Sequence, residues 1–278
     1  PYSCVFCASH IIFERKYRAR SVENIFSEIK FLMKHYDARN FDFVDDTLTV
    51  DKKRLSDLCD LIIEEGSDIS WLCNARVDGF DKSIAYKLKT AGCKIVCFGV
   101  ESGDPKVWKA TNKKLNREDI LTAHRAAKKA GLIVVSFFMV GNLGESKDSI
   151  DKTVQFINEI DSDFPTCSIA TPYPGTKMFE WGLKHCMIDS YDWSHYITTP
   201  HARMDYKPFW RNEFMDAKEI LEAYYYVNSK IIKKKLRTRY GLKYYLNPRF
   251  YKKEIIERVR NRGVREVVKL TFKLLRVS

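Results

Sequence analysis

Short apolar runs alternate with amphipathic stretches of a dozen or so residues from the start of the chain to about residue 171. The runs are FDFV (41–44), ISWLCNA (69–75), KIVCFGV (94–100), IVVSFFMV (133–140) and TCSIA (166–170). Between them, helical periodicity places Val22, Ile25, Phe26, Ile29 and Leu32 on one face, with Ser21 as the N-cap. Further helices are predicted over 52–65, 82–91, 117–130 and 147–160, with Gly92 and Gly131 closing two of them. Strands separated by helices of this length pair in parallel, because a parallel crossover needs a dozen or more residues to return. The class is therefore α/β, a βα barrel, whole or partial. In such a barrel the chemistry sits just after each strand. Those positions are Asp45 and Asp46, Asn74 and Arg76, Glu101 and Ser102, Gly141–Glu145, and Thr171–Thr176.

The 278 residues, 45% of them hydrophobic, suffice for one large domain or a domain with an appendage. No uninterrupted apolar run reaches the roughly 18 residues of a spanning helix, and no secretory leader is recognisable. A cytoplasmic location is expected, with the eight cysteines kept as thiols. Cys59, Cys73, Cys93, Cys97, Cys167 and Cys186 read as small buried apolar residues. Cys4 and Cys7 differ, because a Cys-x-x-Cys turn points two thiolates at one ion.

Charge divides the chain. Residues 231–278 hold 16 Lys and Arg against three Glu, whereas the whole chain is only +12, so the body is near neutral. An anionic partner is expected at the C-terminal end, not at the cysteines. Helices are predicted there over 214–237, 248–261 and 263–276, after an aromatic, Pro-punctuated stretch. The last is a basic amphipathic helix, with Val264, Val267, Val268, Phe272 and Leu275 mainly on one side. It either packs on the barrel, lies on an anionic membrane surface, or contacts RNA, the last leaving its stripe unexplained. His195 and His201 lack the neighbours of a metal site and are read as surface or packing residues.

The order of motifs along the chain resembles the radical S-adenosylmethionine (SAM) superfamily, in its cobalamin-associated branch. PYSCVFC looks like that family's cluster loop, FVDDTLT its strand-two motif, FGVESG its strand-four motif, FFMVGNLGES its strand-five motif and ATPYPGT the stretch after strand six. The resemblance implies a partial (βα)6 TIM-like barrel lacking its first strand over 1–187, followed by an aromatic loop and basic helical extension over 188–278. It also implies a cysteine immediately before Pro1, completing C-x3-C-x2-C, and a cobalamin domain lying upstream.

Carried over residue by residue, the resemblance makes Cys4 and Cys7 ligands of a [4Fe–4S] cluster and Phe6 a contact for the adenine of SAM. Glu101 would accept the ribose hydroxyls; the other reading is a helix-start carboxylate held by a macrodipole. Asn74 and Arg76 would reach the methionyl carboxylate, or Arg76 is a structural ion-pair partner. Ser102, Gly141 and Thr171 complete the expected cofactor-binding set. Asp45 and Asp46 are the catalytic candidates, positioning substrate or moving a proton, with a turn cap toward Asp51 as the alternative for Asp46. GNLGE lacks the proline of the family's Gly-Leu-Pro-Gly-Glu, which implies a less rigid loop.

The implied function is a radical SAM enzyme: reductive cleavage of SAM drives a radical modification, a cyclisation or a cobalamin-assisted methylation. Its substrate is a small or lipid-like molecule, and its cluster needs an electron donor. A tRNA methylthiotransferase is the rival within the class, and a zinc-binding interaction protein using Cys4 and Cys7 the rival outside it.

Overall fold

A computed structural model describes residues 2–14, 16–200, 206 and 209–240. Five strands form one sheet: β1 (Asn40–Phe43), β2 (Ser70–Ala75), β3 (Cys93–Glu101), β4 (Ile133–Val140) and β5 (Phe164–Ile169). Their order in space is their order in the chain, and every neighbouring pair is parallel. A doubly wound sheet would reverse this order at a switch point. The unbroken sequence is that of a partial TIM-like barrel, with the strand number that the motif order implies.

Helices α1 (Ser9–Ile12) and α2 (Val22–Tyr36) precede the sheet. The crossovers carry α3 (Lys52–Glu64), α4 (Lys82–Thr90), the pair α5 (Pro105–Ala110) and α6 (Arg117–Lys129), and α7 (Lys147–Glu159). Their starts are fixed by side-chain oxygens that accept otherwise unpaired backbone N–H groups. Ser21, Asp51, Asp81, Asn116 and Ser146 each do so. Gly92 shows why a glycine stands in the turn between α4 and β3: φ is +91°, and a Cβ there would collide with the Ile69 carbonyl.

Alternation along β3 separates core from cavity. Val96, Phe98 and Val100 are wholly buried and share one apolar core with Leu88, Ile120, Ala123 and Ile157 from the helices. Burying each larger side chain contributes about 1.5–3 kcal/mol. The odd positions Cys97, Gly99 and Glu101 line the opposite side.

After β5 come α8 (Lys177–Lys184) and α9 (Ala217–Tyr240), the latter packed on β5 and α7. The described residues beyond 187 have no core of their own: Trp210, Met215, Ile220, Tyr224 and Val227 belong to the core of the strands. The predicted helices at 248–261 and 263–276, and His201, lie outside the described residues. Among those described, no helix is long and apolar enough to cross a membrane.

Several local expectations need correction. The first strand ends at Phe43, because the chain turns there and leaves Val44 81% exposed. The short helices α1, α5 and α8 are too brief for periodicity to reveal. Cys186 is exposed, since it is the positive-φ residue (+55°) that ends α8, whereas the other five cysteines read as core residues are buried. His195 does serve packing, with its ring near Phe209 and Nδ1 3.0 Å from the Ser190 hydroxyl.

Candidate active site

A cavity of about 580 Å³ opens at the C-terminal ends of β1–β3, a size typical of cofactor sites. Eight of the eleven residues singled out in the sequence line it: Cys4, Phe6, Cys7, Asp45, Asp46, Asn74, Arg76 and Glu101. Its remaining wall includes Tyr2, His10, Phe13, Gly99, Lys113 and Phe137.

The cysteine loop crosses the sheet end as a turn in which the Cys7 N–H donates to the Cys4 carbonyl at 3.2 Å. Its middle is clamped from both sides: Val5 N–H donates to the Thr111 carbonyl, and the Val5 carbonyl accepts from Met178 N–H, each at 3.0 Å. Burial pushes the Cys4 thiol above its ordinary pKa, while the nearby Lys113 and Arg76 cations pull it down.

Glu101 ends β3 at φ +67°, where the β3–β4 register is irregular. A non-glycine residue held there stores on the order of 1–3 kcal/mol, a strain that tends to mark functional positions. Its Oε1 lies 2.7 Å from Lys113 Nζ, and both side chains are about nine-tenths buried. Gly99 makes room for this pair, because a Cβ there would sit 2.5 Å from Glu101 Oε1 and 2.8 Å from Lys113 Nζ. The helix-start reading of Glu101 fails, since the N-cap of α5 is Asp104, which accepts from Lys106 N–H.

Arg76 matches its ion-pair reading. Nε donates to Asp78 at 2.6 Å, an Nη donates to the Lys114 carbonyl at 3.2 Å, and the guanidinium lies 3.9 Å over the Tyr2 ring. Asn74 donates to the Asp45 carbonyl at 3.2 Å, which fixes the loop carrying Asp45 and Asp46 on the cavity rim. In the turn that leads to Asp51, Asp46 accepts the Thr47 hydroxyl through its backbone carbonyl at 2.7 Å, and Asp51 caps α3, accepting from Arg54 N–H.

Ser102, Gly141 and Thr171 are not brought to the cavity. Ser102 is fully buried, with its hydroxyl 3.1 Å from that of Thr153. Thr171 is buried and donates to the Ile169 carbonyl. Gly141 lies under Ile220 and Trp210. The loop it opens is held without a proline: Glu145 accepts from Gly141 and Asn142 N–H, and Asn212 donates to the Asn142 and Glu145 carbonyls at 2.7 and 2.9 Å. Sequence reasoning missed Lys113 and Gly99. A glycine inside a strand does signal close approach, but Lys113 sits in a turn with no periodic pattern.

Residues 1–157 match the family model described as the Radical SAM superfamily. The chain belongs to the radical SAM superfamily. It is 33% identical over 257 residues to the uncharacterized methyltransferase PH0819 of Pyrococcus horikoshii, covering 92% of this chain and 52% of that protein. It is 26% identical over 207 residues to the bacteriochlorophyllide d C-12(1)-methyltransferase of Chlorobaculum tepidum, covering 72% and 45%. Its fold matches TsrM, a radical SAM methyltransferase from Kitasatospora setae solved with cobalamin and a [4Fe–4S] cluster, at a TM-score of 0.61 and 18% identity over 66% of this chain and 35% of TsrM. The chain spans about half the length of the first of these relatives.

The cofactors of radical SAM enzymes are a [4Fe–4S] cluster and SAM. Cys4 and Cys7, unbridged and on one cavity wall, fit two corners of such a cluster. Among the described residues no group of three or more His, Cys, Asp or Glu side chains is set to hold a metal ion. A closed four-ligand zinc site is therefore not formed by these residues.

Proposed function

We propose that this radical SAM chain is the catalytic core of a methyltransferase acting on a small or lipid-like substrate, with cobalamin carried by another part of the protein. One observation carries the reading of the site: Cys4, Cys7, Phe6 and Glu101, almost a hundred residues apart in the chain, converge on one cavity. Support for methyl transfer comes from the Pyrococcus relative, an uncharacterized methyltransferase that matches over 92% of this chain. Cobalamin is favoured because TsrM, of the same fold, was solved with it.

In this reading Cys4 and Cys7 hold the cluster, which when bound with SAM supplies the electron for its reductive cleavage. Phe6 offers an aromatic face to the adenine and Glu101 two acceptor oxygens to the ribose hydroxyls. Lys113 Nζ, 2.7 Å from Oε1, holds the Glu101 side chain in place by a charge-assisted hydrogen bond. Asp45 and Asp46, exposed on the rim, orient substrate or take a proton from it. Phe13, Val44, Val50 and Phe137 give the remaining wall an apolar character that suits the body of such a substrate.

The test is anaerobic reconstitution of the full-length protein, followed by reduction with SAM and cobalamin. Formation of 5′-deoxyadenosine, with labelled methyl passing from SAM into cobalamin or an added lipid-extract acceptor, supports the reading. Deoxyadenosine without any methyl transfer would return the chain to another radical modification.

A further inference from the structure

We propose that the turn Thr111–Lys113 is a bracket that sets the cysteine loop against Glu101, with Asn112 as a positioning residue for that loop. The proposal rests on the reading of Cys4 and Cys7 as cluster ligands. Three consecutive residues grip three different parts of the site. Thr111 accepts the Val5 N–H through its carbonyl at 3.0 Å. Asn112 donates Nδ2 to the Ser3 carbonyl at 3.0 Å and to the Ser3 hydroxyl at 2.7 Å. Lys113 reaches Glu101 at 2.7 Å.

The bracket is itself fixed to the sheet. Trp108, buried on α5, donates its indole N–H to the Val100 carbonyl at 2.9 Å, one residue before Glu101. Thr111 is buried and donates to the Val107 carbonyl at 2.7 Å, while Lys113 N–H donates to the Trp108 carbonyl at 2.8 Å. Asn112 sits in this turn at φ +51°, and asparagine is among the few side chains that tolerate such a conformation. The loop bearing Cys4 and the strand end bearing Glu101 are therefore held by one short rigid piece, although neither touches the other through its own backbone bonds. A cluster seated on the loop and a ribose held by Glu101 must keep a fixed separation, and this piece sets it.

Asn112→Gly is the informative variant, since glycine accepts the positive φ and only the amide is lost. In cluster-free protein, hydrogen exchange over residues 3–7 should quicken about three- to tenfold, as expected for one exposed hydrogen-bonding group, with β3 unchanged. In the reconstituted full-length protein, iron release to a chelator should quicken by a similar factor, and half-saturation of the SAM-induced change in the cluster's EPR spectrum should need more SAM. Ser3→Ala should give a smaller change in exchange, and the double variant no more than Asn112→Gly alone, which also decides the matter if one variant folds poorly. Unchanged exchange over 3–7 in Asn112→Gly, or strictly additive effects in the double variant, would overturn the bracket. Failure of the cluster reading looks different: Cys4→Ser would leave the iron content intact while the exchange result stood.

Discussion

Glu101 and Glu145 are both carboxylates placed just after a parallel strand, and the structure treats them in opposite ways. Glu101 is strained, lines a cavity and pairs with Lys113. Glu145 is completely buried, accepts the Gly141 and Asn142 N–H groups through one oxygen, and leaves Oε1 without a hydrogen-bond partner among the described residues. Burial pushes its pKa up to about 8, against the pull of those two N–H groups. The difference is made by what lies above each strand end. Trp210, Asn212 and the start of α9 close over the β4 loop, whereas the end of β3 faces the cysteine loop across open space. A strand's C-terminal end in a barrel is thus a necessary but insufficient mark of a working residue; the covering chain decides.

The sharpest way to break this comparison is at the cavity. Replacing Cys4 by Ser in the full-length protein should reduce iron and sulfide to a small fraction of the parent's, measured after anaerobic reconstitution and desalting. Full retention would remove the cavity from the chemistry. Next in size, Glu101→Gln should weaken SAM binding roughly ten- to over a hundredfold while the cluster remains, since a charge-assisted hydrogen bond contributes about 1.5–3 kcal/mol. The same change strands Lys113 in a nearly buried place. Adding Lys113→Met should restore thermal stability without restoring SAM affinity, and recovery of both would make the pair merely structural.

On the closed side the expected effect is on stability alone. A carboxyl whose folded pKa is raised from its ordinary 4.5 to about 8 contributes stability at low pH that is lost as pH rises through that window. Glu145→Gln should remove this loss, so that parent and variant diverge by up to about 1.4 kcal/mol per pH unit between those values in denaturant titrations. SAM binding should not change. Parallel curves for the two proteins would mean that Glu145 ionises freely and that the β4 loop is open.

Much of the architecture is legible in the residues because it follows from local periodicity. Strand alternation, caps such as Ser21 and closing glycines such as Gly92 each act over a few positions. Cys4, Cys7, Phe6 and Glu101 are found differently, from the order of motifs along the chain and the family resemblance that this order carries. What escapes depends on distant chain: Ser102 and Thr171 stand at strand ends as Glu101 does, but Thr153 and the segment near Ile197 bury them. Lys113 carries no signal in TNKKLN, because its meaning comes from a carboxylate twelve residues back that only the turn after α5 brings within reach. Cys186 has the composition of a core residue and the backbone of a helix end, and the backbone wins.

The central claim is that one cavity seats both a cluster on Cys4 and Cys7 and SAM beside Glu101. Titrating SAM into the reduced, reconstituted full-length protein while recording the cluster's EPR spectrum tests it most directly. The account predicts a saturable change in the spectrum that Glu101→Gln shifts to higher SAM concentration. A cluster signal indifferent to SAM at saturating concentration, in protein that binds SAM by equilibrium dialysis, would place the two in separate sites and contradict it.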